Sequence, residues 1–283
     1  MNNTIFRILR YSGVPFLVRE LVQRNRISIL LFHDISKETA EFAFQFLQKH
    51  YNIISLNDLL NAIEYKDLIS LPKKSLIITF DDGHIGNYQL FPLIKKYKIP
   101  VSVFLCAAII NTKRSFWFNY KPAEEQKGEL KKIVNSERLA ILNRFGYDQE
   151  EEHDIPQALN KSQIMEMKES INFQSHTLFH PILTQCSLED AQKEIVNSKQ
   201  LLESEYELNI NAISYPNGNY SEREIDITIK AGYSCGITVD YGFNTIKTDV
   251  YRLKRISLKD TFNLDELIVK SSGVWGFLKL FSK

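Results

Sequence analysis

The chain has 283 residues, 35 Lys and Arg against 34 Asp and Glu, a formal net charge of +1 and 44% hydrophobic residues, the balance of an ordinary folded protein. A chain of this length buries roughly 75% of its unfolded surface without help from disulfides or a structural metal, and its near-zero charge gives no case for nucleic acid as a partner. Cys106, Cys186 and Cys235 are odd in number and widely spaced, so neither a disulfide framework nor a cysteine-rich zinc site is supported, and a reducing compartment is suggested.

In chain order, residues 1–26 read as an N-terminal helical segment. Its apolar stretches are interrupted by Arg7, Arg10 and Arg19, leaving no clean signal peptide or spanning helix. Packing on the body is expected. The alternative is a basic amphipathic helix resting on a membrane, with Phe6, Leu9, Phe16 and Leu17 on one face. A cytoplasmic protein follows, or one at the inner membrane face.

Strands are expected at 27–33, briefly near 52–55, then at 75–81, 100–105, 171–175, 211–215, 234–239 and 252–258, where short β-branched and aromatic runs recur. Helical stretches fall between them near 38–50, 57–65, 86–97, 128–145, 161–169, 187–207 and 221–231. Such alternation implies a parallel sheet with right-handed crossovers, and seven or eight units favour a closed or nearly closed α/β barrel over residues 27–260, in one domain. Residues 111–160 are irregular and carry the aromatic cluster Phe116, Trp117, Phe118 and Tyr120; this insertion either covers the active face or plugs the core. Residues 261–283 read as a C-terminal amphipathic helix that packs on the barrel, membrane contact being the minority alternative at this terminus too.

Chemistry collects where apolar strands end. Leu76 to Phe80 stop abruptly at Asp81-Asp82-Gly83, and strand C-termini face the active site in such barrels. Adjacent residues point in different directions, so one carboxylate can ligate a metal while the other stays free as a base. His176 and His180 follow the strand at 171–175 and are four apart, the spacing of a metal clamp. Two imidazoles and one carboxylate leave a coordination position open, the arrangement of a catalytic site and not of a structural one. His33 ends the strand Ser28 to Phe32 and is the candidate general acid, since its ordinary pKa near 6.5 lets it hold a proton with little tuning. Tyr215-Pro216-Asn217-Gly218 form a turn at a fourth strand end, where the Tyr215 amide is expected to face a developing oxyanion.

Together, Thr79-Phe80-Asp81-Asp82-Gly83 and His176-Thr177-Leu178-Phe179-His180 resemble the first two motifs of the polysaccharide deacetylases, the NodB-homology or family 4 carbohydrate esterases. The resemblance runs from about Ile27 to Leu258. It implies a metal-dependent de-N-acetylase on a distorted (β/α)7 barrel, with Asp81 as general base and Asp82, His176 and His180 as ligands to one divalent ion, Zn2+ first, with Co2+, Ni2+ or Mn2+ as alternatives.

Two positions depart from the family pattern. The third motif usually reads R-x-P-x-G, and Ser214 stands at its arginine position; Arg255, on a neighbouring strand, is the candidate replacement. The late histidine motif is missing, because no histidine follows His180. His33 resembles the catalytic histidine of permuted members, where it precedes the first motif. The expected activity is removal of acetyl groups from N-acetylated amino sugars of a polysaccharide, oligosaccharide or glycan precursor. The alternatives are another amide or cyclic imide as substrate, or a non-catalytic carbohydrate-binding barrel.

Overall fold

In a computed structural model, which describes residues 3–67, 70–121 and 125–281, eight parallel strands form one sheet: β1 (Ser28–Phe32), β2 (Asn52–Ile53), β3 (Ser75–Phe80), β4 (Val101–Leu105), β5 (Ile171–Ser175), β6 (Ala212–Ser214), β7 (Cys235–Tyr241) and β8 (Leu253–Ser257). The order β1-β8-β7-β6-β5-β4-β3 closes on itself because β1 also pairs with β3, Ser28 opposite Leu76 through Phe32 opposite Phe80. Seven strands therefore make the distorted barrel. The two-residue β2 pairs with Ser75 and Leu76, ahead of the point where β4 joins β3 at Ile78.

Period-two alternation sorts each strand between two apolar layers. Ile27, Ile29, Ile77, Phe104, Ala212, Ile237 and Leu253 fill the barrel interior. Their neighbours Leu30, Phe32, Ile78, Phe80, Val101 and Val103 pack outward against the surrounding helices. The inward rows change character as they climb. Leu253 gives way to Arg255 and Ser257, and Ile77 to Thr79 and Asp81, so the apolar filling stops one residue layer below the C-terminal rim.

Several helices differ from their expected outlines for local reasons. The stretch 86–97 is a 3-10 turn at Ile85–Leu90 followed by an α-helix, Phe91–Tyr97, which restarts at Pro92, a residue tolerated only in a first turn. The stretch 128–145 is two helices, Lys127–Leu130 and Asn135–Arg144. The C-terminal segment is likewise two helices, Leu264–Ser271 and Val274–Phe281, separated by Gly273 at φ +84°, the left-handed conformation that ends helices. The N-terminal helix Asn3–Tyr11 packs on Leu264–Ser271 through Phe6, which also meets Trp275 at 4.9 Å. Among the described residues, no helix is long and apolar enough to cross a membrane.

Candidate metal centre and cleft

The strand ends deliver their polar residues to one cleft of about 450 Å3, lined by His33, Asp81, Asp82, His176 and His180 together with Phe118, Lys127, Lys131, Asn217 and Ser257. Asp81 continues the β3 ladder, its N–H donating to the Phe32 carbonyl at 3.0 Å, and so points inward. The chain then turns sharply. Asp82 (φ 72°) and Gly83 (φ 70°) are both left-handed, and a Cβ on Gly83 would lie 2.7 Å from Leu105 Cδ2, so only glycine fits. Thr177 (φ 67°) and His180 (φ 57°) are also left-handed. For a β-branched threonine that is a true outlier, and such strain gathers at functional sites.

Asp82 Oδ1 lies 3.4 Å from His176 Nε2 and 3.4 Å from His180 Nε2. A tetrahedral ion about 2.0–2.1 Å from each donor would set neighbouring donors about 3.3 Å apart. All three residues are buried, and Asp82 Oδ1 has no hydrogen-bond partner, an orphaned acceptor of the kind a cation satisfies. The His176 tautomer also suits ligation: its Nδ1 lies 2.7 Å from the Ser214 carbonyl, which only accepts, so Nδ1 carries the hydrogen and Nε2 keeps a lone pair. These donors fit a divalent ion.

Charges around the triad follow from burial and neighbours. Burial drives His180 down to about 3 against the pull of Asp82, leaving a neutral ring ready to ligate. Burial also opposes charge on Asp82, yet the imidazoles of His176, His84 and His180 gathered around it hold its carboxyl well below the usual range. His176 is pushed down by burial but raised overall by Asp81 and Asp82.

Asp81 is the most constrained group in the site. Arg255 donates to both of its oxygens, Nη1 to Oδ1 at 2.8 Å and Nη2 to Oδ2 at 2.7 Å, and Ser214 Oγ donates to Oδ2 at 3.1 Å. Arg255 is itself fixed by its bonds to the Thr238 carbonyl and to Ser214 Oγ, each 2.8 Å. The guanidinium thus comes from β8, and the short Ser214 leaves room for it on β6. Burial alone would raise Asp81, but the charges of Arg255 and His176 hold it below its ordinary value.

One expectation needs correction. The Tyr215 N–H, expected to face an oxyanion, is spent on the Ile237 carbonyl at 3.0 Å in the β6–β7 ladder, and the Tyr215 ring is buried against Tyr220. Pro216 and Gly218 do not line the cleft; Asn217 between them does. Gly218 answers a packing need, since a Cβ there would lie 2.1 Å from Val239 Cγ2. His33 lines the cleft with the metal-binding set; burial, reinforced by Arg255 and His176, lowers its pKa despite Asp82 and Asp81.

Other contributors are invisible from local sequence. His84 places Nε2 3.0 Å from Asp82 Oδ2 and so fixes the ligand's second oxygen. Glu194, on the helix Leu188–Tyr206, accepts from the Leu178 and Phe179 N–H groups at 2.8 and 3.0 Å, stitching the turn between the two histidines. Trp117 donates to the His180 carbonyl at 2.8 Å, and Phe118 sets its ring 4.7 Å from that of His180. The 111–160 insertion therefore both plugs and covers. Phe116 and Trp117 are buried, while Phe118, Lys127 and Lys131 wall the cleft.

Fold and site define a closed parallel barrel that carries an Asp–His–His metal-binding set at its C-terminal rim. The model of the polysaccharide deacetylase family matches residues 69–236, and the chain belongs to that family. It is 28% identical over 200 residues to the poly-β-1,6-N-acetyl-D-glucosamine N-deacetylase of Staphylococcus epidermidis, covering 69% of this chain and 58% of that protein. It is 26% identical over 185 residues to YxkH of Bacillus subtilis, covering 65% and 51%. The matches thus span little more than half the length of these two relatives. Among solved structures, the fold resembles the Streptococcus pyogenes deacetylase PplD in complex with acetate, with a TM-score of 0.64 and 21% identity over 87% of this chain and 98% of that one.

Replacing Arg255 tests the constraint on Asp81. Arg255→Met should lower stability at pH 7 by about 3–5 kcal/mol, because a buried carboxylate is left without its partner. Since the folded pKa of Asp81 is depressed, its stabilisation is present above the unfolded value of about 3.9 and is lost as pH falls through the folded one. The variant's deficit should shrink over that range. Urea midpoints across pH measure this, and wild-type stability at pH 7 would contradict it.

Proposed function

We propose that this protein is a metal-dependent hydrolase that removes acetyl groups from N-acetylated amino sugars of a glycan. The observation that carries the reading is the meeting, in one cleft, of an arginine-paired Asp81 with the Asp82–His176–His180 set. Family membership supports it. So does the Staphylococcus epidermidis relative, which is named for an N-acetylglucosamine polymer.

Asp82, His176 and His180 would hold one divalent ion. Zn2+ suits two imidazoles and a carboxylate, and Co2+, Ni2+ or Mn2+ are accepted by similar donors. When bound, the ion supplies Lewis acidity, polarising the acetamide carbonyl and lowering the pKa of water toward 7. Asp81 acts as the base. A carboxylate offers about four acceptor positions, and Arg255 and Ser214 occupy three; the remaining one, on Oδ1, takes the proton of the attacking water. Arg255 keeps Asp81 ionised and fixes its plane, the task that the family assigns to the arginine replaced by Ser214. His33, on the same wall, delivers a proton to the departing amine.

The same reading extends to a surface. Ile8, Tyr11, Phe16, Leu17 and Leu21 are each more than half exposed, and among the described residues Arg7, Arg24 and Arg26 beside them make no ion pair. An apolar face with cationic flanks suits an anionic lipid surface, so the N-terminal segment is proposed to rest on one.

Acetate release from N-acetylglucosamine oligosaccharides by zinc-loaded protein tests the activity. Asp81→Asn should lower turnover by at least about a thousandfold with zinc retained, whereas His176→Ala should lose zinc as well. Near-normal turnover in Asp81→Asn would sink the scheme, and oligosaccharide binding without acetate release would favour a binding protein. For the surface, the chain should co-sediment with phosphatidylglycerol vesicles and not with phosphatidylcholine alone. The triple substitution Ile8→Asp, Phe16→Asp and Leu21→Asp should abolish that, and unchanged sedimentation would refute it.

A further inference from the structure

Lys127 and Lys131 stand four residues apart, Lys127 on the short helix Lys127–Leu130 and Lys131 at its C-cap, a spacing that sets both side chains on one face. Both line the cleft beside Asp82, His176 and His180. Lys131 Nζ donates to Asn217 Oδ1 at 2.6 Å, and Lys127 Nζ sits 5.0 Å from the ring centroid of Phe118. Among the described residues neither ammonium meets a carboxylate, whereas the adjacent Lys132, which faces away, pairs with Glu129 at 2.8 Å. The two carboxylates in the cleft are committed elsewhere, Asp81 to Arg255 and Asp82 to the histidines.

Two like charges at this spacing repel, and Lys131 is partly desolvated, its pKa lowered by burial and by Lys127 against the opposing charge of Asp82. An anion entering between the two ammonium groups would relieve that repulsion. Asn217 is well placed to aim Lys131. It is held at φ 56° in the turn after β6, directly across the cleft from the insertion. Phe118, edge-on to His180, leaves its face to Lys127, so the pair is anchored by one wall each.

We propose that Lys127 and Lys131 form an anion subsite that takes a carboxylate or phosphate borne by the substrate close to the scissile acetamide, so that the preferred glycan is an anionic amino sugar and not a neutral homopolymer. The proposal rests on the deacetylase reading above and adds the substrate class. An ammonium recognises either anion as a point charge. A cationic cleft also concentrates anionic substrates before they dock, an effect that falls with ionic strength. A neutral sugar chain gives these two groups only hydroxyls.

The test uses the zinc-loaded full chain and its Lys127→Gln/Lys131→Gln double variant. Three tetrasaccharides are compared: one of N-acetylglucosamine, one in which a neighbouring sugar is N-acetylmuramic acid, and one phosphorylated at a neighbouring 6-hydroxyl. Calorimetric binding and acetate release are both read. The wild type should bind one or both anionic chains tighter than the neutral one by about tenfold or more, and added salt should narrow the gap. The double variant should bind all three alike, with KM raised for the anionic chains and kcat nearly unchanged. The arm that shows the larger gap tells carboxylate from phosphate. Equal binding of all three by wild type, or a gap that persists in the double variant, overturns the subsite. Those outcomes leave the deacetylase reading standing if acetate is released. A lysine-dependent gap with no acetate from any chain sinks the deacetylase reading and keeps the subsite.

Discussion

A carboxylate locked to a guanidinium inside a barrel is the constraint on which the rest of this molecule turns. Asp81 and Arg255 are both almost fully buried, and neither charge is tolerable there alone. Their contact requires Asp81, just past β3, to face inward and the long Arg255 side chain to reach it from β8, and it requires a small residue on β6 beside both, which is Ser214. Residues of three strands are thereby tied together by one interaction. Every other group in the site is placed relative to it: Asp82 by the turn that follows Asp81, His176 through its bond to the Ser214 carbonyl, and His33 by the pairing of β1 with β3.

The barrel was legible because β1, β3 and β4 bury both faces and so read as nearly unbroken apolar runs. The site was legible for the complementary reason, since polar residues that end such a run have nowhere to go except the rim. Asp81, Asp82, His176, His180 and His33 all stand at that junction. Arg255 could be nominated because Ser214 left a charge missing and only a nearby strand could supply it. Where one residue's role depended on a distant partner, the sequence was silent. Nothing local marks His84 as the partner of Asp82 Oδ2, and Glu194 lies 15 residues from the turn it holds. The Tyr215 amide misled for the same reason: whether an N–H is free depends on the register of the adjacent strand, which no local pattern encodes.

The insertion between β4 and β5 gives this barrel its individuality. Trp117 plugs it onto the body and bonds to a ligand's carbonyl, while Phe118, Lys127 and Lys131 are left facing the cleft. One segment thus steadies the metal-binding turn and presents the groups that a substrate meets. Left-handed backbone at Asp82, Thr177 and His180 gathers on the same rim, strain that the packed insertion and the Glu194 bonds hold in place.

The central claim, that Arg255 keeps Asp81 ionised beneath the metal-binding set, is tested most directly by following the Asp81 carboxyl carbon in 13C-labelled protein, its resonance assigned by difference against Asp81→Asn. The account predicts an ionised carboxylate throughout the neutral and mildly acidic range, with a midpoint below the ordinary value of about 3.9. A midpoint at or above that value would mean that burial outweighs the guanidinium, and it would contradict the account.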